Sequence, residues 1–249
     1  RAEITTQNLA GVLSQNIGNI IDKIDLGLSV AEEEIERQLA TGHPNAEALS
    51  TFMLRLQPRL PWVIGLRATD EQGWLAFGVD IPKDTKLSMA DRLYFTTLRD
   101  RPGAELFINK PVMSRVNKVW VINFARRLDY PDGRFAGVVF ANISLDNLGQ
   151  IFASVDVGKH GAINLRDREL SLIMRYPPPQ DLGKLIGDKT ISPEFQRQVD
   201  AGRDSGIFST PTSFDNTARV VGYQKVGSHP LIISVGLARE DFLAGWWTE

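Results

Sequence analysis

Apolar residues recur through the first forty positions at Leu9, Leu13, Ile17, Ile20, Ile24, Leu28, Ala31, Ile35 and Leu39. Steps of four and three keep them on one stripe of an α-helix. The stretch has no proline, and Thr41-Gly42-His43-Pro44 supplies a C-cap glycine and a proline stop. One helix over residues 1 to about 40 is therefore predicted. Such a helix far exceeds the usual length of ~11–12 residues. It needs a surface to lean on, either the body of the protein or the same helix of a second copy, and the stripe suits a parallel homodimer.

The pattern then shortens. A second helix is predicted over 46–56. Residues 63–68 form an apolar run, 70–73 a turn and 74–79 a return strand. A helix is expected over 89–99, with Leu93 and Leu98 towards the core. Strands follow at 106–108, 119–127 and 135–143, the last two joined by the Pro131-Asp132-Gly133 turn. A connecting helix is predicted over 145–154.

The order then recurs, with a hairpin over 161–165 and 170–175, a helix over 193–201 and strands at 206–209, 219–225 and 231–237. A closing helix is predicted over 239–247. Residues 68–73 match 165–170 in position, and 135–148 match 231–243, a weak duplication carried by element order. The class is α+β: a long N-terminal helix (1–44), two tandem modules of antiparallel sheet flanked by helices (45–155 and 156–238), and a C-terminal helix (239–249).

Composition narrows the function. With 249 residues, 43% of them hydrophobic, the chain can bury a sizeable core. Its net charge is −2 with acids and bases interspersed, and no basic face suggests nucleic acid. Cysteine is absent, which excludes disulfides, cysteine-ligated zinc and thiol nucleophiles. No run reaches the ~18 apolar residues of a membrane span. His43, His160 and His229 fall in three separate turns, without metal-ligand spacing. No nucleophile elbow, P-loop, HExxH or dinucleotide fingerprint occurs. Acids are plentiful, but no carboxylate pair stands out for hydrolysis. No catalytic residue, metal or cofactor is expected.

Polar groups suited to holding a small anion concentrate between Asp91 and Leu145. Arg92 and Arg115 offer planar forks for a carboxylate or phosphate. Tyr94 and Trp120 can wall a pocket, and Asn123 and Asn142 can hydrogen-bond from facing strands. Bland readings stand beside these: an ion pair of Arg92 with Asp91, a solvated Arg115, core packing for Trp120, and a capping role for Asn142. Arg126 and Arg127 read as a solvated strand end.

The sequences Asp91-Arg92-Leu93-Tyr94-Phe95, Pro111-Val112-Met113-Ser114-Arg115, Val119-Trp120-Val121-Ile122 and the run from Pro131 to Ile143 resemble the double Cache (PDC, PAS-like) sensors of bacteria. They are most similar to those preceding PAS, GGDEF and EAL modules. The resemblance implies a periplasmic domain of an inner-membrane protein, tethered by flanking segments outside this sequence. It implies a small-molecule ligand in the membrane-distal module (45–155) and a signal passed through the terminal helices to cyclic-di-GMP turnover. The full-length protein would then be a diguanylate cyclase or phosphodiesterase. The alternative is a ligand-free dimerisation or interaction module of a sensor kinase or chemoreceptor. The apolar Trp246-Trp247 end fits a nearby membrane surface or a packed core.

The amino-acid-binding subfamily carries an aspartate where Asn142 stands here, and a tyrosine where Leu87 stands. An amide cannot neutralise an ammonium, so a carboxylate or another small polar molecule is the expected ligand.

Overall fold

The computed structural model describes residues 1–211 and 215–246. Helix α1 (Ala2–Ala40) takes up the whole predicted stripe. Leu13, Ile17, Ile24, Leu28 and Ile35 are at most 2% exposed. Burying each contributes roughly 1.5–3 kcal/mol, far more than helix propensity supplies. The chain divides into two compact units, Ile20–Asn147 and Arg1–Asn19 with Leu148–Glu249.

In the first unit, helix α2 (Ala46–Leu56) is capped by Asn45, whose side chain accepts from the Ala48 N–H. Then come β1 (Val63–Thr69), β2 (Leu75–Gly78), α3 (Leu93–Asp100), β3 (Phe107–Ile108), β4 (Val112–Met113), β5 (Trp120–Asp129) and β6 (Phe135–Ser144). The antiparallel sheet runs β2-β1-β6-β5-β3, with β4 also on β5. On one face, Arg126 of β5 binds Asp25 (2.8 Å) and Glu32 (2.5 Å) of α1. The other face packs Ala125, Val138 and Phe140 against Tyr94, Phe95 and Leu98 of α3.

Two expectations are corrected here. Helix α3 begins at Leu93 rather than at 89, because Ser88 and Met89 are tied to the β1–β2 turn and a separate turn follows: the Met89 N–H donates to the Gly73 carbonyl at 2.7 Å, Ser88 bridges Trp74, and the Arg92 N–H donates to the Met89 carbonyl at 3.0 Å. The buried face therefore falls on Tyr94, Phe95 and Leu98, and Leu93 is exposed. Nor are Arg126 and Arg127 a solvated strand end. Arg126 is tied to α1, and Arg127 is buried, donating to the carbonyls of Leu98 and Arg99 and to the Asp129 carboxylate.

In the second unit, α4 (Leu145–Phe152) leads to β7 (Ala162–Asp167), β8 (Leu172–Tyr176), α5 (Leu182–Leu185), α6 (Pro193–Asp200), β9 (Ser205–Thr210), β10 (Arg219–Lys225), β11 (Leu231–Ala238) and α7 (Arg239–Trp246). Its antiparallel sheet runs β8-β7-β11-β10-β9, the same order of hairpin, final strand, penultimate strand and edge as the first. This is the expected α+β arrangement of two tandem modules. The first turns of α1 lie so close to β10 that a Cβ on Gly222 would overlap the main chain of Thr6. Among the described residues no helix is long and apolar enough to cross a membrane, and no acid or histidine cluster could hold a metal. Trp247 and the side chain of Trp246 lie outside the described residues.

Candidate functional site

Successive residues of a strand point to opposite faces. Gly65, Arg67 and Thr69 of β1 thus share the face that carries Asn142 and Phe140 on β6 and Asn123 and Ala125 on β5. The register confirms the row: Gly65 lies opposite Asn142, and Asn142 opposite Asn123. The Asn123 amide donates to the Asn142 side-chain oxygen. Asn109 Nδ2 donates in turn to Asn123 Oδ1 at 3.2 Å. All three amides are at most 3% exposed, so the chain of bonds sits in a low-dielectric interior.

Beside it lies Arg67, fully buried in the middle of an apolar strand. Its guanidinium occupies the space above Gly65, where a Cβ would overlap Nη1. Nε donates to the Val79 carbonyl at 2.7 Å and Nη1 to Asn117 Oδ1 at 3.0 Å. Its Nη2, like Asn109 Oδ1, is buried without a hydrogen-bond partner among the described residues. Burial lowers the Arg67 pKa, with Asp80 opposing.

A strap, residues 113–118, is held over this floor by arginines. Arg92, at the start of α3, donates to the Met113 carbonyl at 2.6 Å. Arg115 reaches the Ser88 carbonyl at 2.6 Å and grips both Asp91 oxygens at 2.7 Å. Asn117 is the residue met by Arg67. The hydrogen-bonded fork between Arg115 and Asp91 lowers the Asp91 pKa and raises that of Arg115. Burial, then the neighbouring Arg115 charge, lowers the pKa of Arg92. Tyr94 is buried against Phe140, ring centroids 5.1 Å apart. Burial pushes its hydroxyl well above the ordinary range, while the charges of Arg92, Arg115 and Arg67 pull the other way.

The structure thus brings Arg92, Tyr94 and Arg115 into one neighbourhood and pairs Asn123 with Asn142. Trp120 is half-buried at the start of β5, opposite Met113 of the strap. The ion pair considered for Arg92 with Asp91 is made by Arg115, so neither that pairing nor a solvated Arg115 describes the fold. Sequence reasoning missed Arg67, Asn109 and Asn117. The signal for Arg67 was present: it is a charge within the otherwise uncharged strand Val63–Thr69, on the face shared with Gly65.

A long helix followed by two like-ordered antiparallel modules is the double Cache fold. The extracellular domain of rpHK1S-Z16, a proposed histidine kinase, matches 98% of this chain over 97% of its own length, at 24% identity and a TM-score of 0.83. The ligand-binding domain of the Pseudomonas aeruginosa PAO1 amino acid chemoreceptor PctB, in complex with L-Arg, gives 15% identity and a TM-score of 0.71, covering 97% of each chain. The Pseudomonas fluorescens chemoreceptor CtaA, in complex with L-alanine, gives 13% and 0.69, covering 98% of this chain and 100% of its ligand-binding domain. Residues 145–236 match the family dCache_1_like, described as a histidine kinase sensor domain. No curated protein matches the sequence.

Proposed function

We propose that this chain is the extracytoplasmic ligand-sensing domain of a membrane-tethered signalling protein. Its first module takes a small carboxylate-bearing molecule. The observation that carries this reading is the fully buried Arg67, whose Nη2 has no protein acceptor while the Asn109-Asn123-Asn142 chain lies on the same sheet face. An unsatisfied buried donor costs roughly 1–3 kcal/mol, more when charged, and an incoming carboxylate removes that cost. Arg92, Arg115, Tyr94 and Trp120 act on the strap and its anchors, and Asn123 and Asn142 form the polar floor.

Amino acids are the second reading, favoured by the ligands in PctB and CtaA. Asn142 disfavours it, since an amide gives no charge to an ammonium. The stripe of α1 is spent on the chain's own body rather than on a second copy, so binding that favours one packing of α1 over another shifts the equilibrium between two states of the domain. The output is a histidine kinase, towards which the family matched by residues 145–236 points. Cyclic-di-GMP turnover is the competing output, resting on the wording of residues 91–145.

A thermal-shift screen tests the site, pairing each amino acid with its deaminated counterpart: L-alanine with propionate, L-glutamate with glutarate. At a hundred times its Kd, a ligand adds about 2.7 kcal/mol. Acids should shift the melt and their amino counterparts should not. The gain should vanish in Arg67→Met, which keeps side-chain length without charge. A shift that survives in both Arg67→Met and Asn142→Ala would refute this site.

A further inference from the structure

The second module contains a cavity of about 470 Å³, well within the range of small-molecule sites. Its floor is the sheet face bearing Ala162, Asn164 and Arg166 of β7, Ser234 and Gly236 of β11, and Val221 of β10. Small side chains at 162, 234 and 236 leave the middle of the sheet hollow. One wall is apolar: Phe195 of α6 and Phe208 of β9 stack with centroids 4.7 Å apart and planes 11° apart. The other is cationic. Arg166, Arg175 and Arg219 are 5%, 7% and 4% exposed and all line the cavity, whereas no aspartate or glutamate among the described residues does.

Two of these arginines share one carboxylate, and the third meets main-chain carbonyls. Arg219 grips the Asp215 carboxylate at 2.7 and 2.8 Å, and Arg175 shares the same carboxylate at 3.4 Å. Arg166 donates to the neutral carbonyls of Leu170 (2.8 Å), Asp188 (2.9 Å) and Thr190 (3.4 Å). Burial lowers the Arg166 pKa to about 10; the Asp188 charge opposes this and the Arg175 charge adds to it. On the cavity wall, Thr210 Oγ1 is buried with no hydrogen-bond partner among the described residues. A buried guanidinium and an unpartnered hydroxyl facing one hollow want an anionic acceptor.

We propose that this cavity is a second ligand site and that it takes an aromatic organic acid. The carboxylate lies by Arg166 and Thr210, and the ring lies against Phe195 and Phe208. The assignment stands on the second module alone and does not depend on the first-module site.

Phenylacetate, benzoate, acetate and the neutral isostere phenylacetamide are the probes, titrated calorimetrically into the whole domain. Phenylacetate or benzoate should bind saturably and at least tenfold more tightly than the amide. Affinity should fall at least tenfold in Arg166→Met and stay within twofold of wild type in Arg67→Met. Ala162→Leu fills the cavity from its floor and should abolish binding without lowering the melting temperature; it decides the matter should Arg166→Met fail to fold. Failure of both aromatic acids to bind, equal binding of acid and amide, or binding that persists in Ala162→Leu would each overturn the proposal. Loss of binding in Arg67→Met with retention in Arg166→Met would overturn it too, by moving the acid to the first module.

Discussion

Gly222→Ala adds one methyl group at the point where α1 meets the second sheet. In β10, Gly222 lies between Ile207 of β9 and Val235 of β11, so the strand cannot bow away without breaking a ladder. The new Cβ would stand 2.6 Å from the Thr6 carbonyl carbon, 2.7 Å from the Gln7 nitrogen and 2.8 Å from the Thr6 oxygen. Carbon contacts are comfortable from roughly 3.5 Å, so about 0.9 Å is missing at the Thr6 carbonyl carbon, and every obstructing atom is main chain. Relief requires the first turns of α1 to withdraw, loosening Ala10, Leu13 and Ile17, which are 0%, 0% and 2% exposed. Overpacking against main chain that cannot rotate aside lies in the upper part of the usual range, about 2–3 kcal/mol, offset by ~0.5–1 kcal/mol because alanine loses less backbone entropy than glycine. The net expectation is a loss of about 1–2 kcal/mol, or a melting temperature roughly 2–8 °C lower for a chain of this size. Gly11→Ala is the matched control. It lies in the same helix, nothing stands within 4 Å of its Cβ, and it should gain up to ~1 kcal/mol from helix propensity. Circular-dichroism melts of both variants against wild type are sufficient. A Gly222→Ala protein as stable as wild type would refute the close seating of α1 on β10.

Two further outcomes follow from the charges. In Arg115→Ala, the Asp91 carboxyl should titrate higher than in wild type by NMR. The Asp91 pKa is lowered in the fold, so its small contribution is present above the ordinary aspartate value and is lost as pH falls; its exposed side chain keeps the effect modest. Glu36 runs the other way. Burial raises its pKa, with the bond from the Asp129 N–H opposing. Stability should therefore decline as pH rises through a window that opens near the ordinary glutamate value. Glu36→Gln should flatten that part of the pH–stability curve, and an unchanged slope would count against the assignment.

The parts of the fold that were legible in the sequence are those with a long or alternating period. The α1 stripe spans about nine helical turns, and the β1–β2, β5–β6 and β10–β11 hairpins carry a glycine in the turn. The two-residue strand β4 and the four-residue helix α5 are too short to carry a period, and no expectation covered them. The start of α3 was misplaced because Met89 and Ala90 fit a helical stripe, while the bond that holds Met89 out of the helix comes from Gly73, sixteen positions earlier. The site was partly legible for the same reason. Asn123 and Asn142 stand out as polar residues in apolar strands. Arg67 becomes informative once Asn117, fifty residues away, is known to meet it. Arg166, Arg175 and Arg219 look unrelated along the chain, and they converge because β7 pairs with β8 on one side and with β11 on the other, next to β10.

The shared sheet order allows the two modules to be compared position by position. The row Gly65–Asn142–Asn123 in the first corresponds to Ala162–Gly236–Val221 in the second, and the row Arg67–Phe140–Ala125 to Asn164–Ser234–Tyr223. In the first module these positions carry bulk: two bonded amides, and a phenylalanine packed on Tyr94. In the second, glycine and serine replace the asparagine and the phenylalanine of the final strand, and the cavity opens there. Each module nevertheless seats an arginine by the same device. A missing Cβ at Gly65 makes room for the Arg67 guanidinium, and one at Gly236, 2.9 Å from Arg219 Cδ, makes room for the stem of Arg219. The glycines thus set where positive charge enters the sheet face, and the neighbouring row sets how much space is left beside it. On the two proposed assignments, two copies of one scaffold would read anions of different size: a small acid where Phe140 fills the floor, and a larger, flatter one where Ser234 leaves it open.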